Sequence, residues 1–232
     1  MDPSVEKATR FLDSLRTDEG RTDFYEVAER SHSEHIVYNQ SQYLLSILLK
    51  RLGSDVHFQN IRGKHPVGEV DNDPTRSGHR ANDRFCILED DMKPFYLADQ
   101  KDAETNDEMA LLALYWLNKR DPVIGNTLNR RNAERLYGKL KARFDSVRGV
   151  LEMDKADQMR KPSPLYAVYK VALLGILARR MNDMATLNRV REVLRAWQDA
   201  SGGWSTDRTT ELAPDGVANV ETTVLCTMAL HD

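Results

Sequence analysis

Four short polar clusters each stand at the head of an apolar run. They are Glu34, His35, Tyr38 and Asn39; Glu104, Asn106, Asp107 and Glu108; Tyr166, Tyr169 and Lys170; and Asn219, Glu221, Thr222 and Thr223. Carboxylates, phenols, an ammonium and amides can move protons or orient a polar ligand once they converge. A Glu held against apolar walls would have a raised pKa and could serve as an acid. On this reading Asp107, Glu108, Glu221 and Tyr166 are the candidate acid–base groups. Tyr38, Asn39, Asn106, Tyr169, Lys170 and Asn219 would hold a substrate, with the indole of Trp204 as an apolar platform. The plainer reading stays beside it. Acids in a first helical turn are what the helix dipole favours, and S-x-x-E beginnings are ordinary caps.

Metal chemistry has little to stand on. No C-x-x-C or Cys/His spacing occurs, and no two histidines make an i, i+4 pair. Glu89, Asp90 and Asp91, with Asp71 and Asp73, read as a solvated acidic loop rather than a cation site. No metal and no cofactor are expected.

For the clusters to meet, the runs behind them must be helices. The apolar runs at 36–52, 105–119, 164–180 and 218–231 are hydrophobic nearly all round, the pattern of buried helices. Ser163 and Pro164 look like the N-cap and first residue of the third. Segments 3–16, 131–144 and 184–198 carry a single apolar stripe and much Arg, Lys and Glu, the pattern of outer helices. The two kinds alternate. Residues 54–102 break the pattern and read as one long irregular loop.

The outer helices share an ending. "RFDSVRGVL" aligns with "WQDASGGWS" at an offset of about 54, the sign of stacked helical hairpins. Asp145 falls on Asp199, Gly149 on Gly203, Val150 on Trp204, and Pro164 on Ala218. The expected fold is all-α: an α/α toroid, or an incomplete one, built of hairpins as a single domain over 1–232.

Composition limits the function. The chain has 232 residues, 33 basic and 36 acidic side chains, and a net charge of −3. That balance does not suit a nucleic-acid binder. The most apolar run, "YAVYKVALLGILARRM", is short and interrupted by Lys170, Arg179 and Arg180, so no membrane span is expected. With no signal-peptide pattern and two distant cysteines, Cys86 and Cys226, a cytoplasmic protein is expected.

The string Q-D-A-S-G-G-W, followed after a loop by N-V-E-T-T-V-L-C-T-M-A-L, resembles the QW-type repeat of squalene and terpenoid cyclases and of protein prenyltransferase β subunits. The match covers Trp197 to Leu230, with a degenerate copy over roughly 131–178, where Phe144 stands at the Gln position and Val150 at the Trp position. The resemblance implies a double ring of helices in which the Gln and Trp stitch an outer helix to the next inner one. The chemistry of those families does not carry over. The D-x-D-D acid is absent, the nearest string being Leu88-Glu89-Asp90-Asp91. No Asp-x-Cys precedes Cys226 and His231, as a prenyltransferase zinc set requires.

Three functions fit these observations. One is a terpenoid-cyclase-like toroid with its pocket at the inner-helix starts, acting on a prenyl substrate. The second is a carbohydrate-active toroid, hydrolase or lyase, working on a glycan through paired carboxylates and tyrosines. The third is a non-catalytic helical-repeat binding or assembly module, in which a second copy of the chain could complete the ring.

Overall fold

The computed structural model describes residues 2–15, 44–45, 47–49, 51–53, 103–118, 126–159 and 163–231. The loop expected at 54–102 lies outside them, as does most of the helix expected at 36–52. Of that helix, the described residues at 44–45, 47–49 and 51 are helical and end on Gly53 at φ +80°.

The described residues are mostly helical. Helix α1 spans Pro3–Ser14, α2 Asn106–Asn118, α3 Asn126–Ala142, α4 Lys155–Gln158, α5 Val168–Arg180, α6 Met184–Trp197 and α7 Val220–Leu230. The all-α expectation needs one correction, because the described residues include five short strands. β1 (Phe144–Asp145) and β2 (Val150–Leu151) form one ladder. β3 (Tyr166–Ala167), β4 (Ser205–Arg208) and β5 (Pro214–Ala218) form a three-stranded sheet with β4 in the middle. The strands are where each hairpin connector finds backbone partners.

Both kinds of helix are found as expected. In α2 every residue from Met109 to Tyr115 is buried, and in α7 every residue from Thr222 to Leu230. These helices have no solvent side, and α2 packs on α5 as α5 packs on α7. The outer helices bury one stripe: Val5, Ala8, Phe11 and Leu12 of α1, and Leu187, Val190, Val193, Leu194 and Trp197 of α6. Local chemistry fixes their ends. Asp2 caps α1 through Ser4 N–H at 2.9 Å, with Pro3 at the first position. Asn182, at φ 59°, turns the chain from α5 into α6, a left-handed conformation that Asn tolerates. Asp183 then caps α6 through Thr186 N–H at 3.1 Å.

Helix α5 begins four residues later than Pro164. Tyr166 and Ala167 pair with Arg208 and Asp207 of β4, and this ladder wins over helical propensity. Ser163 therefore caps nothing. The N-cap is Ala167, which has no side-chain hydrogen bond to offer. Strands β3 and β5 both run antiparallel to β4, so they are parallel to each other. β3 leads directly into α5 and β5 into α7, so two inner helices rise from one small sheet.

Each of the two described hairpin turns is seated on an outer helix of another part of the chain. In the first, Gly149 lies so close to α6 that a Cβ there would sit 2.4 Å from Val193 Cγ2. Arg189 of α6 donates to the carbonyls of Ser146 and Val147 in the same turn. In the second, the seat is α1. A Cβ on Gly202 would lie 2.5 Å from the Lys7 carbonyl oxygen, and one on Gly203 2.9 Å from the Phe11 ring. Gln198 Nε2 donates to Ser4 O and to Gly202 O, both at 2.8 Å. Arg195 pairs with Asp2 at 2.8 Å. The N-terminal helix thus stands to the last hairpin as α6 stands to the one before it, and it also packs on α7.

Candidate functional site

One charged cluster lies among the apolar inner helices. Lys170, in the first turn of α5, is 3% exposed. Its Nζ donates to Asp154 Oδ2 at 2.7 Å and to Asp157 Oδ1 at 2.8 Å, and it stands 4.0 Å from Asp107 Oδ1. All three carboxylates are buried. Asp107 belongs to the first turn of α2. Asp154 and Asp157 bracket the start of α4, where they form a capping box. Asp154 accepts from Ala156 N–H at 3.0 Å and Asp157 N–H at 3.2 Å, while Asp157 Oδ2 accepts from Asp154 N–H at 3.3 Å. Asp154 Oδ2 also accepts the N–H of Asn106 at 2.9 Å, which ties α2 to the α4 connector. The Asn106 side chain completes the joint: Nδ2 donates to Glu152 O at 2.8 Å, and Oδ1 accepts from Arg143 Nη1 at 3.1 Å.

The two α4 carboxylates are driven apart in acidity. Burial disfavours charge on both. For Asp154 that is outweighed by the Lys170 ammonium and by the N–H groups of Asn106 and Asp157, so its pKa lies below the usual value. For Asp157 burial wins despite the Lys170 hydrogen bond, and the neighbouring Asp154 charge adds to it, so its pKa is raised. Burial pulls Lys170 down, but Tyr169 and the two carboxylates outweigh it, and its pKa is raised. The cluster therefore gathers three buried carboxylates around one ammonium, with the acidities of Asp154 and Asp157 pushed in opposite directions. The centre of the carboxylates is filled by Nζ. Among the described residues there is no group of three or more His, Cys, Asp or Glu side chains that could hold a metal ion.

The clusters expected at the helix starts meet only in part. Those of α2 and α5 meet, through Asp107, Asn106 and Lys170. Glu108 is spent on a cap: its Oε2 accepts from Thr105 N–H at 3.0 Å and Glu104 N–H at 3.1 Å. Asn219 is the N-cap of α7, accepting from Thr222 N–H at 2.8 Å and donating to Thr206 Oγ1. Glu221 is half-buried in the first turn of α7, and Tyr169 is half-buried against the core. Tyr166 is not on a helix; it lies in β3, where its hydroxyl accepts from Arg148 Nη1 at 2.9 Å and the guanidinium stacks 5.2 Å from its ring. Tyr38 and Asn39 lie outside the described residues.

Trp204 offers no platform to a substrate. It is 0% exposed, and its indole N–H donates to Leu194 O at 2.7 Å. Its backbone N–H donates to Thr223 Oγ1 at 3.2 Å, so the ring is a wedge between α6 and α7.

The sequence reading missed Asp154, Asp157 and Arg208. The first two are the N-cap and third residue of the four-residue helix α4, and that D-x-x-D capping-box spacing was the available signal. Arg208 is buried in β4. It donates to the carbonyls of Trp197 and Leu212 and stacks on the Trp197 ring at 5.3 Å, while its Nε is the one buried side-chain atom without a hydrogen-bond partner among the described residues. Nothing in local spacing singles out that position, because its burial comes from the pairing of β3 with β4.

Among the described residues no helix is long and apolar enough to cross a membrane. Compared with protein-family models, with curated proteins and with solved structures, the chain finds no match.

Proposed function

We propose that this chain is a toroid-like ring of α-helical hairpins that works by binding a partner, with the Lys170 cluster acting as an internal clasp. The ring reading draws support from the seating of the turns. Gly149 of one hairpin rests on α6, and Gly202 and Gly203 of the next rest on α1, which returns the start of the chain to its end. This is the stitching that the resemblance to terpenoid cyclases implies, with Gln198 and Trp204 in the stitching positions.

The observation that carries the binding reading is how the candidate catalytic groups are spent. Glu108 and Asn219 are caps, Trp204 is a wedge, and the Lys170 ammonium is bonded to two of the chain's own carboxylates. The sides of α2 and α7 that would face a ring's centre are buried as fully as the rest. A cyclase needs an aromatic-lined chamber for carbocations. A glycosidase needs two carboxylates facing each other across a sugar. Here Asp154 and Asp157 both bind the same Nζ.

A second reading keeps the acid pair as chemistry. Asp157, buried and with its raised pKa, would donate a proton to an apolar prenyl substrate, in the absence of the D-x-D-D acid that terpenoid cyclases use. One experiment separates the two. The protein is incubated with squalene, a prenyl diphosphate series and a set of oligosaccharides, and products are sought by mass spectrometry beside D157N. The binding reading expects substrates recovered intact. Turnover lost in D157N would overturn it in favour of acid catalysis.

A further inference from the structure

The three outer helices differ in what they do with their charges. On α1, Glu6 and Arg10 pair with each other, and the exposed Lys7 and Asp13 balance. On α6 the arginines are committed: Arg189 to two carbonyls and Glu192, Arg191 to Ala229 O, and Arg195 to Asp2. Helix α3 is unlike either. Its exposed charges are Arg130, Arg131, Arg135, Lys139 and Lys141 against the single acid Glu134. Arg130 pairs with Glu134 and Lys141 with Asp183. Among the described residues, Arg131, Arg135 and Lys139 have no ion-pair partner.

These three cations follow one another at i, i+4 and i+8. The core-facing side of α3 is Asn129, Ala133, Leu136, Tyr137 and Leu140. At 100° per residue the opposite crest is Arg131, Arg135, Gly138 and Ala142, with Lys139 and the exposed Leu128 flanking it.

Gly138 is the second observation. A glycine inside a helix weakens it relative to alanine. This one has no positive φ, and a Cβ placed on it would meet nothing within 4 Å. Nothing in the fold requires the missing side chain. Its absence lets a second backbone come close beside three unpaired cations.

We propose that the crest of α3 is a docking surface for an acidic α-helix of a partner protein. The proposal rests on the binding reading above and names the partner's class. Carboxylates at i and i+4 of a straight helix are about 6 Å apart, the same rise that separates Arg131, Arg135 and Lys139. Gly138 and Ala142 leave room for the partner backbone, and Leu128 gives it one apolar contact. Nucleic acid fits less well, because the crest has no exposed aromatic for stacking and the whole chain is net negative at −3. A lipid surface fits less well because, among the described residues, Leu128 is the one large apolar side chain beside the crest.

The test uses a fluorescein-labelled Ala/Glu helical peptide with Glu at i, i+4 and i+8, read by anisotropy against the full chain. Saturable binding is expected, weakening as NaCl goes from about 50 to about 200 mM. R131E/R135E/K139E should weaken it by at least about tenfold. G138L provides the control on folding: it should unfold no earlier than the parent yet bind about tenfold more weakly, because the space it fills lies outside the chain. Three results overturn the proposal: no saturable binding by the parent, binding unchanged in both variants, or tighter binding of single-stranded DNA or phosphatidylserine vesicles than of the peptide. The binding reading itself fails separately, by turnover in the product assay, whatever the peptide does.

Discussion

Between α3 and α5 the chain turns on Asp145 and Gly149, and between α6 and α7 it turns on Asp199, Gly202 and Gly203. The two turns share their local chemistry. Asp145 Oδ1 accepts from Val147 N–H at 2.9 Å, and Asp199 Oδ1 accepts from Ser201 N–H at 2.9 Å. In both, a glycine at positive φ lies against an outer helix, α6 for Gly149 and α1 for Gly202. Beyond the turns the hairpins diverge. The second fills its interior with Trp204, a ring with every polar atom bonded at short range. The first has Val150 in that place, reaches its inner helix through the α4 connector, and holds that connector with Lys170, Asp154 and Asp157. The lesson is that one architectural need, fixing an inner helix to the outer one before it, is met by an aromatic wedge in one copy and by buried charge in the other. The two solutions should fail differently.

The largest loss is expected at the wedge. Trp204→Ala removes a fully buried indole and leaves Leu194 O without its donor, so it should cost about 5 kcal/mol, the top of the range for such truncations. Urea denaturation measures it. The cost should be the same across neutral and mildly acid pH, since no titrating group is touched. Val150→Ala should cost clearly less. Equal losses at the two positions would mean that the copies are held alike, and the comparison would fall.

Lys170→Met comes next, at about 3–4 kcal/mol near neutral pH, because it strands buried carboxylates without their cation. This loss should depend on pH. Lys170 is raised when folded, so its contribution is present below its ordinary pKa and lost as pH climbs through the folded value. Asp154 is depressed, so its contribution is present above the ordinary carboxylate range and lost as pH falls through the folded value. Asp157 is raised, so its ionisation opposes folding and acid relieves it. In the variant both α4 carboxylates lose their ammonium, and acid that protonates them shrinks the deficit. Thermal melts of the two proteins should therefore converge as pH falls from about 7 towards 4. A pH-independent gap would mean that Lys170 contributes packing rather than charge.

Gly202→Ala tests the turn alone. At φ +96°, with the Lys7 carbonyl in the place of the new Cβ, the substitution should cost about 2 kcal/mol. It should also loosen α1, which hydrogen exchange at the α1 amides would report. A loss without faster exchange in α1 would separate the turn from its seat.

The sequence made the second hairpin far more legible than the first. Trp204, Gly202, Gly203 and Gln198 lie within seven residues, so the turn could be read from their spacing although their partners, Ser4, Lys7 and Phe11, lie far off in sequence. The alternation of buried and outer helices was legible for the same reason, since each helix writes its own burial into its period. The start of α5 was not. Pro164 and Ser163 make a sound cap on local grounds, but β4, some forty residues on, claims Tyr166 and Ala167 for a ladder, and no local rule sees that partner. The Lys170 cluster was half legible. Lys170 and Asp107 stand at helix starts, which the apolar runs behind them mark, whereas Asp154 and Asp157 come from the α4 connector, whose route across the helix ends is a tertiary fact. The α2 and α5 starts met because those helices are neighbours. Glu221 and Asn219 belong to α7, which packs on α5, and the Asn219 side chain is spent on Thr222 of α7 and Thr206 of β4.

The smallest expected effect falls on the residue that ties the last turn to α1. Gln198 Nε2 donates to Ser4 O in α1 and to Gly202 O in its own turn. Phe144, the corresponding residue of the first hairpin, can donate no such bond; there the tie comes from Arg189, reaching back from the next outer helix to Ser146 O and Val147 O. Gln198→Met keeps the length of the side chain and removes both bonds. Two hydrogen bonds to partly solvated carbonyls contribute about 1–2 kcal/mol between them, and water can replace part of that, so the net loss should be about 1 kcal/mol. The informative readout is where the loss is felt. If Gln198 seats the last turn on α1, exchange should quicken at the first-turn amides of α1 and around Gly202 while the amides of α3 and α5 keep their protection. A loss spread evenly over the chain would instead mean that α1 and the last hairpin unfold with everything else, and that no separate seam exists where the chain's two ends meet.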